Sequence, residues 1–383
     1  MHILSWNFTI LEFCGLWRTR DFSSDWKKHV YNAYTCFSIF LMYTFTLSEL
    51  IEFVLSIDNV DEVVNNSLML LSMLGICYKS ANLVYKRDQI LEVTDLLVND
   101  VCRPQSLEEI SIQKRFDARG RHNTLIFGVL SEIAVIAITV GSFLGNVPNR
   151  TLPFRAWLPF DHDNFLGFWV AFLHQILAHA MAATIGSIHD TLFHGLMAQA
   201  CGQLNILKFR LRSMPRMVRE NQSKNSGGIA ERNALSKCIR HHQEICRFVE
   251  MSNNVFSLVI FIQFSVSTFV ICVSTYTLSN TSFLSAEFTF VIVYLMCMIV
   301  QIFLMCWNGN EVITESLDVG TAAYEMDWSS LEQSTKKDLQ IIMARTLYPI
   351  KYTSGHVITL SLDSYNSLMK LSYSVYNLLQ RTS

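Results

Sequence analysis

The chain has 383 residues, of which 51% are hydrophobic and only 16% charged, with a formal net charge of −2 and a mean hydropathy of +0.28. A soluble domain carries about 25% charged residues, so this balance excludes an ordinary soluble globular protein. Residues 30–48, 164–189, 251–286 and 288–310 contain no Asp, Glu, Lys or Arg, and a bilayer span needs about 20 such apolar residues.

In chain order, residues 1–29 hold apolar runs broken by charges, with no small-residue cleavage site, so no signal peptide is expected. Trp6, Phe8, Ile10, Leu11, Phe13 and Trp17 suit either a helix lying on the inner leaflet or a segment packed on the bundle. Seven spans follow, at about 30–57, 64–85, 123–147, 165–193, 252–279, 286–307 and 356–380. The second and seventh are weakest, because they contain Lys79, and Asp363 with Lys370. All six prolines fall outside these spans, as expected from their cost inside helices. Segments 195–216 and 229–250 read as helical extensions of spans four and five, joined through the flexible 221–228. Residues 331–347 read as a further helix with Leu331, Leu339, Ile342 and Met343 on its apolar side, stopped by Pro349.

Charge sets the orientation. Alternate connections carry 25 and 3 of the 30 Lys and Arg residues, and the positive side is cytoplasmic. The expected fold is an all-α membrane protein of seven transmembrane helices, with the N-terminus cytoplasmic and the C-terminus extracellular. A G-protein-coupled receptor has the opposite orientation. Sequons at Asn149 and Asn280 fall in expected outer loops, although Asn7 and Asn221 open sequons on the inner side. The ten cysteines avoid the outer loops, so no structural disulfide is expected, and their spacing fits no zinc site.

Candidate chemistry is sparse. No hydrolase elbow, P-loop or HExxH helix appears, so no enzymatic reaction and no cofactor is expected. The basic runs are explained by topology and do not point to nucleic acid. His189, Asp190 and His194 are expected as polar residues near the inner membrane edge rather than metal ligands, since an i, i+5 pair points about 140° apart on a helix. His174 and His179 are better placed for polar contacts inside the bundle. Glu132 must face protein or water; a structural pairing with Lys79 is preferred over a binding or gating role. Glu49 and Glu52 are expected at the outer interface. Met73, Tyr78, Ile136, Val140, Phe168, Phe172, Ile176, Ser267, Thr268 and Tyr276 are the candidate lining of a pocket for a small apolar ligand, chosen by depth and side-chain type.

The last span carries the most informative pattern. Asp363, Ser367, Lys370, Ser374 and Asn377 recur at spacings of 4, 3, 4 and 3, which puts them on one helical face. That face must meet water or protein. Several copies around an axis would line a pore, with Val375, Leu378 and Leu379 as an apolar constriction. The competing reading is a polar seam inside each subunit.

The same region resembles the insect odorant receptors. The resemblance rests on Ala323-Tyr324 with Trp328, Lys336-Lys337, Arg345, and Pro349 followed by Tyr352-Thr353-Ser354-Gly355. It continues through Leu360-Ser361-Leu362, Tyr365, Lys370, Ser372-Tyr373-Ser374 and Leu378-Leu379. Tyr352 and Ser354 depart mildly from the usual Leu and Ala. The resemblance implies a subunit of a ligand-gated, nonselective cation channel. This odour-specific subunit would assemble with a co-receptor subunit in a heterotetramer in the plasma membrane, bind a small volatile odorant among spans two to five, and conduct cations. It implies four parts: a cytoplasmic segment 1–29, a six-helix region 30–307 with the pocket, a cytoplasmic anchor region 308–352, and a pore-lining helix 353–383. Tyr324, Trp328, Arg345, Pro349 and Gly355 would belong to the anchor motif. A gustatory-type homomeric channel, a metabotropic receptor and a transporter are the alternatives.

Overall fold

The computed structural model describes residues 4–382 except 19–24, 57–59, 162–163, 222–226, 281–285 and 356. Ten α-helices occur among them: α1 (Ser5–Phe13), α2 (Asp25–Leu55), α3 (Val60–Tyr85), α4 (Arg87–Leu96), α5 (Leu107–Asn149), α6 (Phe165–Asn221), α7 (Gly227–Asn280), α8 (Ala286–Tyr324), α9 (Gln333–Thr346) and α10 (Leu362–Thr382). Six of them, α2, α3 and α5–α8, are long and apolar enough to cross a membrane. The polar stripe that singles out α10 in the sequence also lowers its hydropathy below that of the other spans.

The helices outrun the bilayer. Helix α6 has 57 residues and α7 has 54, each over 80 Å at about 1.5 Å per residue, against a hydrocarbon core of about 30 Å. The extensions expected at 195–216 and 229–250 are continuous with the spans. Pro148 and Pro215 lie inside α5 and α6, near their C-terminal ends, so these prolines fall outside the expected spans without ending the helices. Helix α5 starts well before its span because Ser106 caps it: the Ser106 hydroxyl accepts from Glu109 N at 3.1 Å, and Glu109 Oε2 accepts from Gln105 N at 2.7 Å, satisfying backbone donors at the helix start.

The core is deepest around the C-terminal half of α6, where Leu192, Leu196, Met197, Ala200, Leu204 and Leu211 are at most 1% exposed. A helix apolar on all sides belongs at the centre of a bundle. Helix α1 packs on this region rather than lying free: Leu11 is fully buried, and Asn7 Nδ2 donates to Thr191 Oγ1 at 2.9 Å. Asn7 is 1% exposed, so its sequon is inaccessible in the folded chain.

Polar groups tie the α9 end of the bundle together. Arg210 of α6 uses all five N–H donors: two on Glu109 (3.0 and 2.9 Å), and one each on Val101 O (2.6 Å), Arg103 O (2.8 Å) and His241 Nδ1 (3.2 Å). His241 Nε2 then meets Gln203 Oε1 at 2.8 Å, which fixes the neutral tautomer with its proton on Nε2. Burial, with the Arg210 guanidinium beside it, pushes the His241 pKa down to about 3. Gln203 continues to Gln113, and Gln113 and Gln199 share Asp117.

The last helix begins later than expected. Residues Thr353–Ser354 and Ile358–Thr359 form an antiparallel hairpin, β1 and β2, pairing Thr353 with Thr359, and α10 starts at Leu362 instead of 356. The Asn253 side chain explains the local change: it donates to Thr353 Oγ1 at 3.1 Å and accepts from Thr353 N at 2.8 Å, holding the chain extended. Gly355 makes the turn at φ +57°, and a Cβ there would also strike the Phe261 ring at 2.8 Å. Gly309 of α8 lets the hairpin dock, since a Cβ at this position would lie 2.6 Å from the Leu360 carbonyl oxygen. Gly309→Ala is therefore expected to cost about 1–3 kcal/mol, read as a lower Tm of the detergent-purified protein; an unchanged Tm would mean that the α8–hairpin contact is not this close.

Candidate ligand cavity and the polar face of the last helix

A cavity of about 200 Å³ lies between α3, α5, α6, α7 and α8. Helix geometry selects its walls. From α5, Phe127, Leu130, Ser131, Ala134, Val135 and Ile138 reach it; from α6, His179, Ala182, Ala183, Gly186, Ser187 and Asp190 do. Both sets follow the 3–4 residue repeat of a single helix face. Small residues on α6 leave the space, and Met69, Met73 and Ile76 of α3 with Val266 and Met298 on the facing helices give it an apolar surface.

One end is polar. Lys79 Nζ donates to Asp190 Oδ1 at 2.7 Å, and the two side chains are 4% and 2% exposed. Gln301 Nε2 donates to Asp190 Oδ2. Gln263 Nε2 contacts Gln301 Oε1 at 2.8 Å and Ser267 Oγ at 3.1 Å. The network thus joins α3, α6, α7 and α8. It corrects one expectation: Lys79 pairs with Asp190 and not with Glu132, which instead accepts from Thr184 Oγ1 at 2.7 Å. Asp190 and His189 are buried between the helices, with the His189 ring 5.4 Å from that of Phe256. No group of His, Cys, Asp and Glu able to hold a metal occurs among the described residues.

Other polar residues sort by contact. His174 Nε2 meets Thr44 Oγ1 at 2.9 Å. His179 lines the cavity, packs its ring 5.0 Å from that of Phe154, and its Nδ1 is buried without a hydrogen-bond partner. Glu49 is 4% exposed.

Among the candidate pocket residues, Met73 lines the cavity, and Ser267 supports its polar end through Gln263. Ile136 and Val140 are 59% and 50% exposed on the outer surface of α5, away from the cavity, because they lie on the face opposite Ala134 and Ile138. Phe168 and Phe172 are buried against Trp169 near the start of α6. Tyr78, Ile176, Thr268 and Tyr276 are half-buried outside the lining. Sequence depth and residue type do not select a helix face when apolar residues occur all round it. The polar lining groups that the sequence reading missed, Gln263 and Gln301, had a signal of their own: each is a carboxamide deep within an uncharged span.

The polar stripe of α10 faces away from its own bundle. Asp363, Ser367, Lys370 and Ser374 are exposed, while Val375 and Asn377 are half-buried. Leu368 and Ser372 form the buried side, Tyr365 stacks edge-on to Phe303 at 5.5 Å, and Cys272 Sγ lies 3.8 Å from Ser372 O. The side chain of Leu378 lies outside the described residues, as does that of Asn280, whereas Asn149 is exposed at the end of α5. In the anchor motif, the Trp328 indole donates to Ala323 O (3.1 Å) and Tyr324 O (3.0 Å), capping the C-terminus of α8. Arg345 donates to Tyr348 O at 2.8 Å, and Pro349 leads into Ile350, whose N–H reaches Ser316 Oγ at 2.9 Å. Gly355 holds the hairpin turn.

These features define a multi-pass helical membrane protein with a largely apolar cavity between its helices. Residues 59–373 match the family described as 7tm Odorant receptor, and the chain belongs to that family. It is similar to Odorant receptor Or1 of Anopheles gambiae, 24% identical over 97% of this chain and 93% of the relative. It is also similar to Odorant receptor 10 of Aedes albopictus, 30% identical over 71% and 70% of the two chains. The fold matches the solved structure of the olfactory receptor OR5 from Machilis hrabei in complex with eugenol, with a TM-score of 0.86 at 19% identity over 99% of this chain and 98% of that one. These relatives are receptors and not enzymes.

Proposed function

We propose that the chain is the odour-specific subunit of a ligand-gated, nonselective cation channel. It assembles with the co-receptor subunit as a heterotetramer in the plasma membrane of an olfactory neuron dendrite, with its N-terminus inside and its C-terminus outside. The observation that carries this reading is the exposure of Asp363, Lys370 and Ser374 on α10 while the opposite side of that helix packs on its own subunit. A charge facing lipid costs several kcal/mol, so the stripe meets water or a neighbouring subunit, and copies around an axis enclose a pore.

Two further features support it. Lys and Arg are concentrated in alternate connections, giving the stated orientation. Near α9, Tyr324, Ile341, Leu347 and Tyr348 are 67–75% exposed, an apolar surface suited to contact between subunits. The cavity holds the odorant, as the resemblance to a receptor solved with eugenol suggests.

Currents recorded from cells expressing the chain with and without a co-receptor, across an odour panel, test the reading. Odour-evoked current is expected only with the co-receptor. Current from the chain alone would favour a homomeric gustatory-type channel, and a G-protein response without current would overturn the channel. Lys370→Glu is expected to change single-channel conductance or the preference among cations; an unchanged current would place Lys370 outside the pore.

A further inference from the structure

The cavity is long, narrow and unequal at its ends. On α6 it runs from His179 to Asp190, three helical turns or about 16 Å. Its volume of about 200 Å³ is only modestly larger than the ~150 Å³ cavity that admits benzene in an engineered protein. A space of that volume over that length takes a slender molecule.

At the deep end, Lys79 lines the cavity and is 3% exposed. An ammonium has three donors, and among the described residues its one hydrogen-bond partner is Asp190. Asp190 is better satisfied: Oδ1 accepts from Lys79 and Oδ2 from Gln301. Spare hydrogen-bonding capacity at this end is therefore donor capacity on a buried cation, where a bond to a ligand is strengthened by the low dielectric. Between the two ends the walls are apolar, apart from the Ser131–Ser187 pair and the Ser72–Tyr294 pair, whose hydroxyls are engaged with one another.

We propose that Lys79 is a ligand-recognition residue, and that this receptor takes slender neutral molecules with an aliphatic body and a hydrogen-bond acceptor at one end, such as a ketone, ester or alcohol, whose oxygen is bound by Lys79 Nζ. This deepens the odorant-binding reading above and rests on it. Asp190 is the positioning residue that holds the ammonium at the floor of the cavity. Hydrocarbons of the same length fit the walls but leave the spare donors unused.

The test is ligand-induced thermal stabilisation of the purified receptor complex by 2-octanone, 1-octanol and octane. For the wild type, half-maximal stabilisation by 2-octanone and 1-octanol is expected at a concentration about tenfold or more below that for octane, the ratio a charge-assisted hydrogen bond supplies. Lys79→Met combined with Asp190→Asn, which removes both charges and keeps an acceptor for Gln301, is expected to erase the preference. His179→Leu, at the other end, is expected to keep it. Equal half-maximal concentrations in the wild type overturn the proposal, and this arm decides even where the double variant does not fold. Persistence of the preference in the double variant, its loss in His179→Leu, or no stabilisation by any of the three compounds also overturns it. Odour-evoked current recorded in parallel separates the two readings: stabilisation with the expected preference but no current leaves the site standing and removes the channel, whereas current without the preference removes the site alone.

Discussion

Replacing Asp190 with alanine is expected to destabilise the receptor by about 3–5 kcal/mol, the cost of leaving a buried ion without its partner. Lys79 and Asp190 are 4% and 2% exposed in their side chains, so water does not take over the role of the missing carboxylate. The change also strips Gln301 of its acceptor, and the Gln263 contact depends on Gln301 in turn. The expected readout is a large drop in Tm and in the fraction of chain that reaches the cell surface. Lys79→Met with Asp190→Asn is expected to recover most of the loss, because removing both charges together avoids the unpaired ion. A single-variant loss below about 1 kcal/mol would indicate a hydrated pair of the kind found at protein surfaces.

Arg210→Ala is expected to cost a similar amount, about 3–5 kcal/mol, at the opposite part of the bundle. Arg210 joins α6 to the start of α5, to the preceding loop at Val101 and Arg103, and to α7 through His241. Without it, Glu109, 5% exposed, remains as a buried carboxylate next to two unpaired carbonyls. Arg210→Lys is expected to rescue little, since an ammonium has three donors and lacks the planar fork that meets Glu109 through two nitrogens. Thermal melts and limited proteolysis of the α9 end measure this. Near-complete rescue by lysine would show that charge alone, and not the five-point geometry, holds the helices.

Much of the architecture is legible in the residues because the bilayer restricts what can lie inside it. Long uncharged blocks mark four of the helices, and high hydropathy marks α3 and α5 in spite of Lys79 and Glu132. The segments 195–216 and 229–250 show as helical because their apolar residues keep a helical repeat after the membrane block ends. The seventh helix is legible by its polar stripe and by the family-like run from Pro349 onward. Its start is not: the hairpin at 353–359 depends on Asn253 and Gly309, which lie on other helices and far away in sequence.

The candidate cavity divides in the same way. An ionisable residue inside a span announces that it has a partner, because an unpaired charge at that depth is costly. Sequence therefore singled out Lys79, yet Glu132 and Asp190 are both acidic residues inside neighbouring spans, and only the packing of the helices decides that Lys79 meets Asp190. Ile136 and Met73 are equally apolar and were equally eligible as lining residues. One faces outward and the other faces the cavity, a difference set by helix rotation.

The sequence by itself determined the class of the protein, the number and extent of most helices, the polar face of α10 and the membership of the odorant receptor family. These follow from local quantities, hydropathy, periodicity and motif order, which each segment carries within itself. The tertiary structure alone decided that Lys79 meets Asp190, that small residues on α6 open a cavity, that α1 packs on the bundle, and that the stripe of α10 turns away from its own subunit. Each of these depends on how helices distant in sequence are rotated and spaced against one another, and that is fixed by packing of the whole bundle rather than by any single segment.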